Sequence, residues 1–317
     1  MKNSVSRRSF LAATGAVGAG AFAASFLPRT AWASPMGLPI GIQLYTVGKP
    51  LGEDAPGTLK QLHSIGYREV ESAGIGKHTA KEFRGFLDDA GIVCPSAHLQ
   101  LAGDKIDEQF EEAHALGAHF AVSSVLRSFS PEFMKSARAA MQSNGATPMP
   151  KMAPMTPDDF KKTAEQMNEV GKKAKAAGLQ YAYHNHNFEF EKMPDGSPAY
   201  DLLVTETDPE LVKFEIDCGW MVVAGADPVA YFKKYPGRFR MLHIKDFKPV
   251  AAPTTELMGP GRPQGTDLGT GFVKYETIFA AGKAAGIEHI FVEQEAPFPV
   301  SQMESAKVDY AYLEKFS

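Results

Sequence analysis

Three features of the 317-residue sequence predict an α/β fold, a single parallel eight-stranded (β/α)₈ barrel. Short apolar runs alternate with amphipathic segments at regular spacing, as βα units do around a parallel sheet. Several amphipathic segments close on a glycine just before the next apolar run, at Gly66, Gly91, Gly117, Gly178 and Gly286, where a left-handed residue ends a helix. The length suits one large barrel, and recurrence of the same helix, glycine, strand order along the chain favours one continuous barrel over two domains.

The first element read from the sequence is an export signal over residues 1–33. Ser6-Arg7-Arg8-Ser9-Phe10-Leu11 precedes an Ala/Gly-rich uncharged run to Phe26, and Ala31-Trp32-Ala33 closes the segment with small residues. Paired arginines before a weakly hydrophobic run resemble a twin-arginine address, with cleavage expected after Ala33 and a periplasmic or otherwise exported product. The run falls short of the roughly 20 strongly apolar residues of a membrane span, so no stable membrane insertion is expected. The expected mature domain is residues 34–317.

Within it, strands are expected at residues 40–47, 69–72, 92–99, 119–123, 180–186, 212–217, 240–245 and 289–293. Helices are expected at 56–65, 79–90, 108–116, 157–177, 228–235 and 275–285. Residues 127–155, after the fourth strand, break the rhythm with five methionines, several prolines and a short helical patch. That is too long for a plain βα connection, and its readings are a lid on the C-terminal face, a contact in a homo-oligomer, or a surface insertion.

Net charge is −4 with both signs interspersed, and no basic stripe points to nucleic acid. Two cysteines, Cys94 and Cys218, lie in or beside strands, so a disulfide framework does not hold this chain together.

The densest polar cluster is Tyr183-His184-Asn185-His186-Asn187-Phe188-Glu189-Phe190 at the end of the fifth strand. Alternation puts His184 and His186 on one face, where two imidazoles need a metal, a substrate or each other. The sixth strand ends in Asp217, the seventh in His243 and Lys245, and the eighth in Glu293 and Glu295. Ligands from four consecutive strand ends converge near a barrel axis, and this nitrogen and oxygen mixture suits one divalent ion, Mn²⁺ first, with Zn²⁺ and Fe²⁺ as alternatives.

Lys245 shares the inward face with His243 and is read either as an oxyanion stabiliser or as a salt-bridge partner. Glu71 and His98 end early strands, where they either bond sugar hydroxyls or form structural polar layers. Trp220 either stacks on a sugar face or packs under a loop. Glu215 shares a face with Asp217 but lies deeper, and Glu189 falls in the loop beyond its strand, so neither is expected to act in catalysis.

At this point the chain resembles the xylose isomerase-like barrels of sugar (phosphate) isomerases and epimerases, related to endonuclease IV. The resemblance rests on Gly41-Ile42-Gln43-Leu44-Tyr45-Thr46-Val47, Gly66-Tyr67-Arg68-Glu69-Val70-Glu71, His98, the later strand ends, and the turn Leu268-Gly269-Thr270-Gly271. It implies one divalent metal held by residues that fall here on His184, Asp217, His243 and Glu293. His184 departs from the pattern, because epimerases of this family carry a glutamate there. Two glutamates on opposite faces of the substrate exchange its proton in those enzymes. With Glu293 alone remaining, the second base falls to His184 or His186, whose reference pKa of about 6.5 allows it.

The resemblance implies a small sugar or polyol as partner, with Glu293, His186 and Lys245 in catalysis and Glu71, His98 and Trp220 on the substrate. Its leading reading is a metal-dependent isomerase or epimerase working through an enediolate. A lyase or hydratase of 3-keto-glycosides or inososes is the alternative, favoured by the histidine at the fifth strand and by export. A non-catalytic periplasmic sugar-binding barrel is the third.

Overall fold

The computed structural model describes residues 34–101, 105–124, 131–143, 147, 149–259 and 261–316. The expected export signal lies outside the described residues. Eight parallel strands close a barrel, β1 (Ile40–Gln43), β2 (Glu69–Ser72), β3 (Val93–His98), β4 (Phe120–Ser124), β5 (Gln180–His184), β6 (Val212–Asp217), β7 (Phe239–Ile244) and β10 (His289–Val292). A two-stranded ribbon, β8 (Asp246–Phe247) and β9 (Gly265–Thr266), stands apart from it. Every expected strand is present. Two end more than one residue earlier than expected: β1 gives way to a 3₁₀ turn at Leu44–Val47, and β5 stops at His184, leaving His186 beyond the sheet.

The helices start where the sequence supplies caps. Thr79 and Glu82 bond each other's backbone in a capping box, as do Thr156 and Asp159 ahead of Pro157–Ala176. Helices Ala80–Ala90, Ile106–Leu116 and Tyr275–Ala285 end on Gly91, Gly117 and Gly286, all left-handed, which returns the chain tightly to the next strand. The helical patch expected inside 127–155 is a 12-residue helix, Pro131–Gln142. Among the described residues, no helix is long and apolar enough to cross a membrane. Both cysteines are free and buried.

The barrel interior is layered. Phe120, Val122, Ala182, Met241 and Phe291 form an apolar plug. One step of alternation further along four of these strands stand Ser124, His184, His243 and Glu293, so the same period that closes the floor lifts polar side chains onto it. The register aligns Ser124 with His184, His184 with Glu215, and Asp217 with His243. The larger apolar core lies outside the sheet, between strands and helices.

Candidate metal centre

His184, Asp217, His243 and Glu293 each offer a ligand atom, and these atoms all lie within 4.8 Å of one another. Glu71, Glu215 and His243 form a second, overlapping group just below them. Each position in the first set is fixed by its backbone. Asp217 ends β6 and caps the short helix Cys218–Val223, its Oδ1 accepting from Trp220 N at 2.8 Å. Gly219 allows this helix to sit on β7, since a Cβ there would lie 2.7 Å from the Lys245 carbonyl oxygen. Asn185 ties the ends of β5 and β6, accepting from Asp217 N at 3.1 Å and donating to Asp217 O at 3.4 Å. The Tyr275 hydroxyl accepts from Lys245 N at 2.7 Å and donates to Lys245 O at 2.6 Å, clamping the end of β7.

Around the quartet, negative charge outnumbers fixed positive charge. His243 Nδ1 lies 2.5 Å from Glu293 Oε2, and its Nε2 lies 3.0 Å from Glu71 and 3.2 Å from Glu215. Burial opposes charging of His243, but the Glu215 and Glu293 carboxylates hold its pKa well above the usual value. Lys245 is fully buried, with Nζ 3.0 Å from Glu295, 3.2 Å from Asp217 and 3.3 Å from Glu293. Arg262 binds the other Glu295 oxygen at 2.6 Å. Five carboxylates (Glu71, Glu215, Asp217, Glu293 and Glu295) thus face three cations in this cluster, Lys245, Arg262 and the protonated His243.

The strain of that imbalance shows on individual groups. Burial and Glu71 push Glu215 up to about 7, and burial pushes Asp217 up to about 6 although Lys245 opposes it. Buried His184 Nδ1, Asp217 Oδ2 and both Glu215 carboxylate oxygens have no aligned hydrogen bond, the approaches of Lys245 to Asp217 and of His184 and His243 to Glu215 being ion-pair contacts. Orphaned nitrogen and oxygen atoms, aimed together and short of positive charge, fit a divalent cation. That donor set matches the requirement of a borderline transition ion.

The remaining site candidates separate. His186 stands at the mouth, its ring 5.0 Å from that of His184, outside the quartet. Burial and the Lys245 charge push its pKa down to about 3, which holds the imidazole neutral at the mouth of the site. Lys245 takes the salt-bridge reading, bonded to carboxylates on three sides. Glu71 is fully buried, bonded to Ser96 Oγ at 2.5 Å and to His243, so it belongs to the polar layer beneath the site and not to a substrate surface. His98, 3.4 Å from Glu71 and 3.2 Å from Ser124 Oγ, keeps a fifth of its side chain exposed and does face the mouth.

Trp220 has no exposed surface. It packs against Phe188, Val223, Phe247 and Leu257, under the ammonium of Lys245 at 5.0 Å. Stacking of Trp220 on a substrate ring is therefore corrected to packing beneath the loop that β8 and β9 carry.

Sequence reasoning set aside Glu189 and Glu215, and the structure gives both a place. Glu215 sits 3.3 Å from His184 Nδ1 and orients the imidazoles from below. Glu189, on the turn Phe188–Phe190, is fully buried and accepts from Tyr183 Oη and His186 N, both at 2.9 Å. Burial raises its pKa to about 8, and its two hydrogen bonds hold the β5 loop. Tyr45 stands half-exposed in the turn after β1. Asp246 carries no local sequence signal. Its two oxygens accept from four backbone N–H groups, Phe247 and Val273 on one and Gly269 and Gly271 on the other. A Cβ on Gly271 would come within 2.2 Å of Asp246, which explains glycine in that turn.

Comparison with known proteins agrees with this architecture. A sugar phosphate isomerase/epimerase from Parabacteroides distasonis superposes with a TM-score of 0.66 at 25% identity, covering 88% of this chain and 94% of that one. An IolI protein bearing a zinc atom superposes with a TM-score of 0.62 at 14% identity over 86% and 96% of the two chains, a likeness of fold. An inosose dehydratase of Lacticaseibacillus casei is 29% identical over 170 residues, 50% of this chain and 55% of that protein. The chain spans about half the length of the curated relatives it matches. Residues 59–314, most of the described barrel, match the description of one family throughout. The chain belongs to the xylose isomerase-like TIM barrel family.

Proposed function

We propose that the protein removes the proton beside the ketone of a keto-sugar or keto-polyol and expels a substituent from the β carbon, acting as a dehydratase or lyase. The observation that carries this is the ligand quartet itself. Glu293 is its one carboxylate not engaged as a helix cap, because Asp217 Oδ1 holds Trp220 N and the β5 position is His184. Epimerisation needs a base on each face of the substrate, whereas elimination needs one.

His184, Asp217, His243 and Glu293 would hold one divalent ion, with Mn²⁺ the first expectation and Zn²⁺ or Fe²⁺ the alternatives. When bound, it supplies polarisation of the ketone and positive charge against the developing enolate. Glu293 takes the α proton; the C–H electrons form the C=C bond as the C–O bond to the leaving group breaks. The departing oxygen takes up a proton, which Glu293 can return when the group leaves on the same face. Lys245, 3.3 Å from Glu293, holds that carboxylate in place and in its ionised form.

Likeness to inosose dehydratases supports this ordering. A second reading, isomerisation or epimerisation, draws on the likeness to a sugar phosphate isomerase/epimerase and was the leading expectation from sequence. Full-length protein reloaded with Mn²⁺ should be incubated in D₂O with an inosose and with a methyl 3-keto-glucoside. Expected is a growing enone absorbance in step with loss of water or release of methanol. Accumulation of an epimer or aldose carrying solvent deuterium, with no enone, would overturn elimination in favour of the second reading, and no turnover with either would leave a sugar-binding barrel. The export reading of residues 1–33 is checked by N-terminal sequencing of protein recovered from the producing cell.

A further inference from the structure

Beside the ligand quartet, and containing none of its residues, is a cavity of about 340 Å³ between residues 151–155 and 253–258. We propose that it is a subsite for a flat aromatic, phenolic leaving group attached to the keto-sugar; this rests on the elimination reading and names its substrate class.

The cavity's walls are soft and polarisable. Met152, Met155 and Met258 meet Phe188 and Leu257 there, and all five belong to, or pack on, the small apolar cluster built over Trp220. Thioethers and an aromatic wall favour the edges and faces of another ring, and methionine adapts to rings of different substitution. The rim is polar: Lys151 and Glu256, ion-paired at 2.9 Å, join the two segments across it and offer partners to phenolic hydroxyls.

Continuity with the reaction site runs through one side chain. Phe188 lines the cavity and lies at 26° to the His186 ring with centroids 6.2 Å apart, and His186 is 5.0 Å from His184 of the quartet. A sugar held at the quartet would reach this cavity through a substituent that passes His186 and meets Phe188. The volume lies within the range of small-ligand pockets. A metal-binding site for a bare polyol would not need a methionine-walled annex on this side.

The test uses Trp220, which packs on the cavity's own walls. Full-length protein carrying Trp32→Phe has Trp220 as its single tryptophan. Its emission is followed while phenyl β-D-glucoside, methyl β-D-glucoside or cellobiose is added to Mn²⁺-loaded protein. Phenyl glucoside is expected to shift the emission saturably and to bind about tenfold tighter than methyl glucoside, the gain of burying one ring. Thr255→Phe, which fills the cavity, and Met155→Gln, which roughens its wall without filling it, should each reduce that preference and leave methyl glucoside unchanged. Equal binding of the phenyl and methyl compounds, tighter binding of cellobiose, or a phenyl preference untouched in both variants would overturn the subsite. These glucosides carry no ketone, so the readout is independent of turnover. A phenyl preference without elimination of any 3-keto-glucoside sinks the function reading alone; elimination of methyl 3-keto-glucoside without a phenyl preference sinks the subsite alone.

Discussion

Replacing Lys245 by Met removes the one ammonium in a pocket of carboxylates, and the structure sets the size of the effect. Nζ is fully buried and lies 3.0–3.3 Å from Glu295, Asp217 and Glu293, while Arg262 reaches only Glu295. Breaking a buried pair by deleting one partner typically costs about 3–5 kcal/mol, because the remaining charge is left uncompensated. Methionine restores most of the lost volume, so cavity formation adds little. For a domain of this size each kcal/mol moves Tm by about 2–4 °C, giving a fall on the order of 10 °C in chelator-treated protein. Added Mn²⁺ should recover more of that loss in Lys245→Met than it adds to wild type, since the same carboxylates then depend on the ion for positive charge. Differential scanning calorimetry with and without chelator measures both quantities. A Tm within about 2 °C of wild type in chelator, or an equal Mn²⁺ response in the two proteins, would refute the charge imbalance on which the metal argument stands.

Wild-type protein should purify with about one transition-metal ion per chain, and His243→Ala and Glu293→Ala each without it, as read by elemental analysis. Asp246→Asn loses acceptor capacity facing four backbone N–H groups and should destabilise the protein by about 1–3 kcal/mol in urea titration, with metal content unchanged. At the opposite end of the barrel, burial lowers the affinity of His289 for a proton, but the Glu69 carboxylate at 2.8 Å more than offsets it and the net shift is upward. A raised folded pKa gives stability that is complete below the unfolded value of about 6.5 and is lost as pH rises through the folded value. Glu69→Gln should therefore flatten the stability profile between the unfolded value and the folded one, and an unchanged slope there in pH-dependent denaturation would count against the pair. Trp220→Phe should lower stability through lost packing while leaving KM for a methyl keto-sugar unchanged; a KM rise with normal stability would restore the stacking role.

How much of the site was legible follows the range of the signal. His184, Asp217, His243 and Glu293 stand at the ends of consecutive barrel strands, and period-two alternation with parallel register is enough to bring them within 4.8 Å. The choice between His184 and His186 for that set needed the strand's end, because both lie on one face by alternation and only the backbone after β5 separates them. Glu71 looked like a substrate ligand because it ends a strand, yet β2 places it under His243, one layer down. Glu189 carried no sequence signal: a carboxyl in a loop is ordinarily solvated, and its burial depends on Tyr183 and the His186 backbone closing around it.

The sequence alone therefore determined the barrel, its helix stops at glycine and the convergence of ligand types at the strand ends, since each depends on periodicity or on the conformational freedom of single residues. The tertiary structure decided what is buried, what is paired and what stays open. Lys245 meets a carboxylate 50 residues away, Lys151 closes on Glu256 across 105, and Trp220 disappears beneath a loop whose position no local pattern encodes. Desolvation and charge pairing are properties of the assembled site, because each depends on every group that packing brings near, whatever its distance along the chain.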